Sequence, residues 1–158
     1  MPTLGSDEGI VLVGLGLGDL RQMQFILWGE KSGFIVSMSG PMRPRVVKAG
    51  HYYLRSVITS DSSAMTWVPP QPERASSTFE VRAGSATYLG NFWAIAGEKR
   101  GTVDWKVKIY YRSEALLKAK EAYPWLEQFP LFVSKVGSSP LAVSWSAEKA
   151  TEPITDTD

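Results

Sequence analysis

The chain of 158 residues contains no cysteine and a single histidine, His51. Without cysteine it can form no disulfide, no thiolate zinc site, no iron–sulfur cluster and no thiol nucleophile. One imidazole excludes a histidine-rich metal site. We therefore expect neither a metal nor a cofactor.

The chain also lacks a surplus of charge. It has 17 Lys and Arg against 16 Asp and Glu, for a net charge of +1. Nonspecific nucleic-acid binding needs an excess of positive charge, so no nucleic-acid partner is expected. A partner that recognises one local charged patch remains compatible with this charge balance.

Long apolar runs are missing as well. The most apolar stretch, residues 9–17, holds three glycines and is much shorter than the roughly 20 residues of a membrane-spanning helix. The first residues carry no charged region of the kind that opens a secretory leader. Without a leader, the sequence predicts a cytoplasmic protein. If a leader was trimmed, the location is the periplasm or cell envelope, with possible membrane association.

What is present is typical of a β protein. Hydrophobic residues make up 44% and charged residues 21%, as in ordinary globular chains, with 14 Gly, 10 Pro and six each of Trp, Tyr and Phe. Glycine and proline favour turns, and aromatic residues favour strands. The composition and length predict a single turn-rich domain.

The apolar pattern predicts an antiparallel β-sandwich of about seven or eight strands with one C-terminal α-helix. The first three strands, 9–17, 23–28 and 34–38, are spaced as a meander. The clearest alternation runs over 102–111, with Val103, Trp105, Val107 and Ile109 on one face. The helix is predicted near 113–123, capped by Ser113 and ended by Pro124, which disfavours a helical residue before it.

The sequence predicts three parts of the chain. Residues 1–8 form an N-terminal arm, 9–146 the β-sandwich domain, and 147–158 a disordered acidic tail. A long loop rich in Ser, Asp and Pro runs from 59 to 77, with a short strand near 65–68.

Two segments echo each other. Val47-Lys-Ala-Gly50 followed by Tyr53-Leu54 matches Val81-Arg-Ala-Gly84 followed by Tyr88-Leu89. Both are predicted to be hairpins, in which a tight turn requires glycine at positive φ and an aromatic residue enters the next strand. Two such units are expected at one rim of the sandwich.

These segments carry a family resemblance. The first is similar to a Gly-x-Tyr-x-Leu hairpin of small bacterial envelope β-sandwich proteins, and 79–92 resembles their second motif. Ala122-Tyr123-Pro124-Trp125-Leu126 resembles their closing helix. The resemblance covers roughly 9–126 and implies an exported or lipid-anchored protein. It supplies no catalytic residues, and the chain lacks the family's lipid-acceptor cysteine.

Two candidate chemical motifs are weak. Gly14-Leu-Gly16-Leu-Gly18 suggests a dinucleotide loop, but Asp19 or Arg21 stands where the third glycine belongs. We expect these glycines to admit a large aromatic side chain across the strand. His51 has Ser56, Ser60 and Asp61 nearby in sequence, but their spacing indicates no catalytic triad.

Charge gives the sharper signal. Residues 31–60 contain five basic residues and no acid. Basic residues interleaved with aromatic ones can bind phosphate, anionic lipid or anionic glycan. We expect a binding surface formed by Arg43, Arg45, Lys48 and Arg55, with Trp67 on the adjoining loop. The alternative is a solvated face whose charge the acidic tail compensates.

The function expected from these features is that of a non-catalytic, envelope-associated module that binds a protein or an anionic surface polymer. Three alternatives stay open. The first is a carbohydrate-binding sandwich that uses Trp67, Trp93 and Trp125 as stacking platforms. The second is a structural subunit of a larger assembly. The third is a hydrolase of unknown class.

Overall fold

The computed structural model describes residues 1–15, 23–29, 33–37, 42–59, 66–67, 78–99, 102–135 and 137–145. In this part of the chain the protein is mainly β, with two sheets and one α-helix. The strands are β1 Glu8–Leu15, β2 Met23–Gly29, β3 Gly33–Ser37, β4 Arg45–Lys48, β5 Gly50–Thr59, β6 Thr66–Trp67, β7 Thr78–Val81, β8 Ala86–Lys99, β9 Thr102–Tyr110, β10 Leu131–Val133 and β11 Leu141–Val143.

These eleven strands of the described residues exceed the seven or eight that the sequence predicts. The excess has a physical reason. Three of the strands, β6, β10 and β11, are only two or three residues long. Strands this short carry too few alternating positions to be counted with assurance from sequence.

The first sheet has the order β11-β10-β8-β1-β4, with β9 pairing along the second half of β8. The strands β1 and β8 are parallel, as are β8 and β10, so the expected antiparallel arrangement is incomplete. Central parallel strands are buried on both faces and therefore read as continuous apolar runs. Ile10, Val11 and Leu12 show this, since each is at most 1% exposed.

The second sheet has the order β3-β2-β5, and both β7 and β6 pair with the other side of β5. All of its pairs are antiparallel. The antiparallel β2–β3 pair confirms the second half of the predicted meander. The expected three-strand meander is wrong, however, because β1 pairs with β4 and β8 in the first sheet.

The two echoing segments are corners between the sheets. Gly50 (φ +144°) and Gly84 (φ +71°) have the predicted positive φ. The predicted hairpins are not formed, because β4 passes to β5 and β7 passes to β8, and each passage changes sheet. Both corners meet the start of β1. The Ala49 N–H donates to the Asp7 carbonyl at 2.7 Å, and the Gly84 N–H donates to the Glu8 carbonyl at 2.9 Å.

The α-helix, α1 (Ser113–Ala122), and a 3-10 helix, Pro124–Gln128, follow β9. Buried Leu116, Ala119 and Leu126 pack in one cluster with β1, β8 and β10. The helix ends before Pro124, as predicted. The predicted cap is wrong, because Ser113 lies inside the helix and Arg112 occupies the N-cap with no side-chain capping bond.

A tyrosine of the first sheet anchors the start of the helix instead. The Arg112 N–H donates to the Tyr88 hydroxyl at 3.1 Å, and that hydroxyl donates to Asn91 Oδ1. Tyr111 contacts Tyr88 edge to face and donates to the Ser134 carbonyl at 3.0 Å. Burial raises the pKa of both tyrosines far above the usual range, so both stay neutral.

The predicted arm, 1–8, contacts the rest of the domain. Leu4 packs against the core cluster, and Glu8 already belongs to β1. Glu8 also closes a local turn, in which the Gly5 N–H donates to its Oε1 at 2.7 Å. The predicted tail, 147–158, and most of the 59–77 loop lie outside the described residues.

Candidate binding surface

The structure separates the five predicted binding residues into two groups. Arg45 and Lys48 lie on β4 of the first sheet, and Arg43 immediately precedes that strand. Arg55 and Trp67 lie on β5 and β6 of the second sheet, where only their backbone is described. Arg55 falls at a bulge, because Ser56 and Leu54 pair with consecutive residues of β2, while Trp67 pairs with Val57.

The first group lies on an edge strand. Among the described strands, β4 pairs with β1 and with no other. The two strands are antiparallel, with Lys48 opposite Glu8 and Arg45 opposite Val11. An edge strand exposes a row of backbone donors and acceptors, which makes it a ready template for another extended chain.

The pairing of β4 with β1 determines which backbone groups of β4 face β1 and which face the open edge. The Ala49 N–H bonds to the Asp7 carbonyl, and hydrogen-bonded pairs alternate along an antiparallel ladder. Val47 and Arg45 therefore direct their backbone groups to β1, while Val46 and Lys48 direct theirs to the open edge. The Lys48 carbonyl fits this phase, since it accepts a hydrogen bond from the Tyr52 hydroxyl at 2.5 Å.

Lys48 is not an isolated cation. Its Nζ lies 3.2 Å from Asp7 Oδ2, and both side chains are about half exposed (43% and 54%). Residues 31–60 contain no acid in sequence, but in the fold an acid lies next to one of their basic residues. The pairing of β1 with β4 brings Asp7, 41 residues away in sequence, next to Lys48.

Arg43 and Arg45 differ from Lys48. Both side chains are exposed, and neither forms an ion pair with a described residue. Val46, between Arg45 and Val47, is 41% exposed, whereas Val47 is buried against the core. The edge of β4 therefore combines two accessible guanidinium groups with one accessible apolar side chain.

A second group of polar side chains, which the sequence did not single out, lies beside the corners. His51 Nε2 lies 3.5 Å from Glu80 Oε1, and Arg82 Nε lies 3.1 Å from Glu80 Oε2. The Arg82 guanidinium also covers the ring of Phe132 at 5.0 Å. The contact depends on the β5–β7 register, which places His51 opposite Glu80. The expectation that both echoing segments lie at one rim was the available signal, but it does not give the register that places His51 opposite Glu80.

This placement bears on the hydrolase alternative. His51 is 60% exposed, and in the described part of the chain its partner is the Glu80 carboxylate. An exposed contact of this length is screened by water and contributes little energy. The arrangement suits a surface contact better than an activated general base, which needs a nucleophile within hydrogen-bond reach.

The tryptophans do not form a described aromatic platform. Trp125 is half-buried between Tyr123 and Phe129, with edge contacts at 6.1 Å to each ring, and it packs against the core. The side chains of Trp67 and Trp93 lie outside the described residues. Trp28, which the sequence did not single out, is 48% exposed and lies over Gly33.

The glycine motif also has a structural role. A Cβ built on Gly14 would lie 2.6 Å from the side chain of Asn91, its neighbour on β8. The glycine thus makes room for Asn91, and the expectation of a large aromatic across it is wrong at this position. Asn91 in turn accepts the hydrogen bond from Tyr88. Gly16 and Gly18 lie outside the described residues.

No family profile, curated protein or solved structure matches the chain. The resemblance to bacterial envelope proteins therefore rests on its three sequence motifs. Within the described residues, no helix is long and apolar enough to span a bilayer. In the same part of the chain, no three His, Asp or Glu side chains are grouped as a metal site would require.

Proposed function

We propose that this protein is a non-catalytic binding module that captures an acidic protein partner at the surface formed by Arg43, Arg45 and the open edge of β4. We call this set the β4 surface. The observation that carries the proposal is that Arg43 and Arg45 are exposed and unpaired among the described residues, whereas nearby Lys48 and Arg82 are each paired with an acid.

Electrostatics supports this choice. A guanidinium group that has no internal partner can form bidentate, charge-assisted hydrogen bonds with a carboxylate without first breaking an existing pair. Lys48 and Arg82 would have to exchange one acid for another, which gains little. We therefore narrow the predicted surface to Arg43 and Arg45, with Lys48 in a supporting role.

An association with the cell envelope is the second part of the proposal. Its support is the order of the two Val-Lys/Arg-Ala-Gly segments and the Tyr-Pro-x-Leu segment in the sequence. We also propose that the two sheets pack face to face as a β-sandwich. Buried Phe79 of the second sheet stacks on buried Phe92 of the first, with ring centroids 5.7 Å apart, which supports contact between the sheets.

The test uses a fluorescent deca-glutamate peptide as a model acidic partner. The protein carrying Arg43→Glu and Arg45→Glu is compared with the unaltered protein at low ionic strength. A control carries Arg112→Glu and Lys118→Glu, two exposed cations near the start and middle of α1, and has the same net charge.

We expect the β4-surface variant to bind at least about tenfold more weakly, since loss of charge-assisted contacts costs about 1.5–3 kcal/mol each and 1.4 kcal/mol is tenfold. The control should bind nearly as well as the unaltered protein. If both variants lose affinity equally, binding reflects net charge and the proposed surface is wrong. Tighter binding of dextran sulfate than of the peptide would favour a polymer partner.

A further inference from the structure

We infer that the partner of the β4 surface binds as an added antiparallel β-strand, so that backbone hydrogen bonds to β4 hold it and the arginines select its charge. This inference rests on the proposed function and names the form of the partner. The segment that fits is extended, and acidic residues alternate with apolar ones along it.

The open edge supplies the backbone groups. The ladder phase directs the N–H and carbonyl of Val46 and the N–H of Lys48 away from β1. The Lys48 carbonyl is already engaged by the Tyr52 hydroxyl. Three groups therefore remain for an incoming strand, and Val46 is the residue that can exchange both hydrogen bonds with it.

The side chains specify the alternation. Successive residues of a strand point to opposite faces, so Arg45 and Val46 lie on different faces of β4. On the incoming strand, the residue opposite Val46 meets an exposed apolar side chain, and its neighbour meets the Arg45 guanidinium. Cross-strand pairs favour like polarity and opposite charge, so an apolar residue followed by an acid matches this edge.

The ends of β4 limit the length of the pairing. Pro44 precedes the strand and has no N–H to offer, while the chain turns into the second sheet at Gly50. The added strand can therefore pair with about four residues. Proline and short strands are devices that limit pairing at sheet edges, so this edge offers only a short ladder to a partner.

The test uses the full chain and an acetylated, amidated peptide of six residues, Glu-Val-Glu-Val-Glu-Val. In an antiparallel strand whose valine faces Val46, the valine N–H groups point to β4 and the glutamate N–H groups point away. A peptide with N-methylated valines should therefore bind at least about tenfold more weakly, and a peptide with N-methylated glutamates should bind like the parent.

Hydrogen exchange on the protein gives an independent measurement. The amides of Val46 and Lys48 should exchange at least about tenfold more slowly when the parent peptide is bound, while those of Arg45 and Val47, already bonded to β1, should change little. On the protein side, Val46→Pro should weaken binding, and Val46→Thr, which keeps the N–H and the branched side chain, should not. The peptide comparison decides the matter if Val46→Pro fails to fold.

Two outcomes overturn the inference. If the valine-methylated and parent peptides bind equally, the partner is not held by this strand pairing. The same conclusion follows if Val46 and Lys48 gain no protection. If Arg43→Glu with Arg45→Glu still weakens binding in that case, the proposed function stands without the added strand. If the charge reversal has no effect, the proposed function itself fails.

Discussion

Replacing Thr87 by valine should stabilise this protein. Thr87 lies in β8 between two parallel neighbours, opposite Val11 of β1 and Phe132 of β10. It is fully buried, and its Oγ1 has no hydrogen-bond partner among the described residues. A buried hydroxyl without a partner has lost its hydrogen bonds to water and gained none in return.

The magnitude follows from that imbalance. An unsatisfied buried donor or acceptor costs about 1–3 kcal/mol, and valine replaces the hydroxyl by a methyl group of similar shape. Valine also suits a strand, because its branched Cβ restricts χ1 as threonine does. We expect Thr87→Val to raise the free energy of unfolding by about 1–2 kcal/mol, or the Tm by about 2–4 °C per kcal/mol for a chain of this size.

Urea denaturation followed by circular dichroism measures the change. Thr87→Ser is the matched control, since it keeps the hydroxyl and removes the methyl group. It should lower stability by about 0.5–1.5 kcal/mol, as the loss of a buried methyl group does elsewhere. If Thr87→Val is destabilising while Thr87→Ser is neutral, the hydroxyl has a stabilising partner and the reasoning is wrong.

Two further changes test the corners and the buried tyrosines. Gly84→Ala should lower the free energy of unfolding by about 1–2 kcal/mol, because the φ of this residue is +71°. The added Cβ would meet open space, so the loss comes from backbone strain and not from a clash. Gly84→Asn should lose less stability in urea denaturation, and an equal loss in the two variants would contradict this reasoning. Burial, with a smaller contribution from Tyr88, raises the pKa of Tyr111 above its ordinary value. The folded protein therefore holds this proton more tightly than the unfolded chain does, and the stability that this contributes is complete below about pH 10, the pKa of an unfolded tyrosine. That contribution is lost as the pH rises further. Tyr111→Phe should therefore lose less stability than the unaltered protein between pH 9 and pH 12 in thermal melts, and parallel losses would refute the assignment.

Local patterns in the sequence predict the elements of this fold well. Val103 to Ile109 alternate, and the strand β9 covers them. Pro124 ends the helix for the steric reason that acts on the residue before it. The glycines of both echoing segments have positive φ, as the tight turn requires. Each of these features is decided within a few residues along the chain.

Strand partners could not be predicted in the same way. Alternation tells which face of a strand is buried but not which strand lies beside it. The segment Val47–Gly50 therefore fits a hairpin and a corner equally well, and only pairing with β1 decides between them. The same limit explains the charges. Lys48 belongs to a basic run in sequence, but Asp7 reaches it only because β1 and β4 are neighbours.

The short edge of β4 explains why the arginines matter to the proposed partner. Three outward backbone groups, each worth about 0.5–1.5 kcal/mol net, cannot by themselves offset the entropy that an extended segment loses on binding. Charge-assisted contacts at Arg43 and Arg45 supply the remainder, so binding should be modest and should weaken as salt screens them. The corner at Gly50 thus sets both the length of the edge and its dependence on charge.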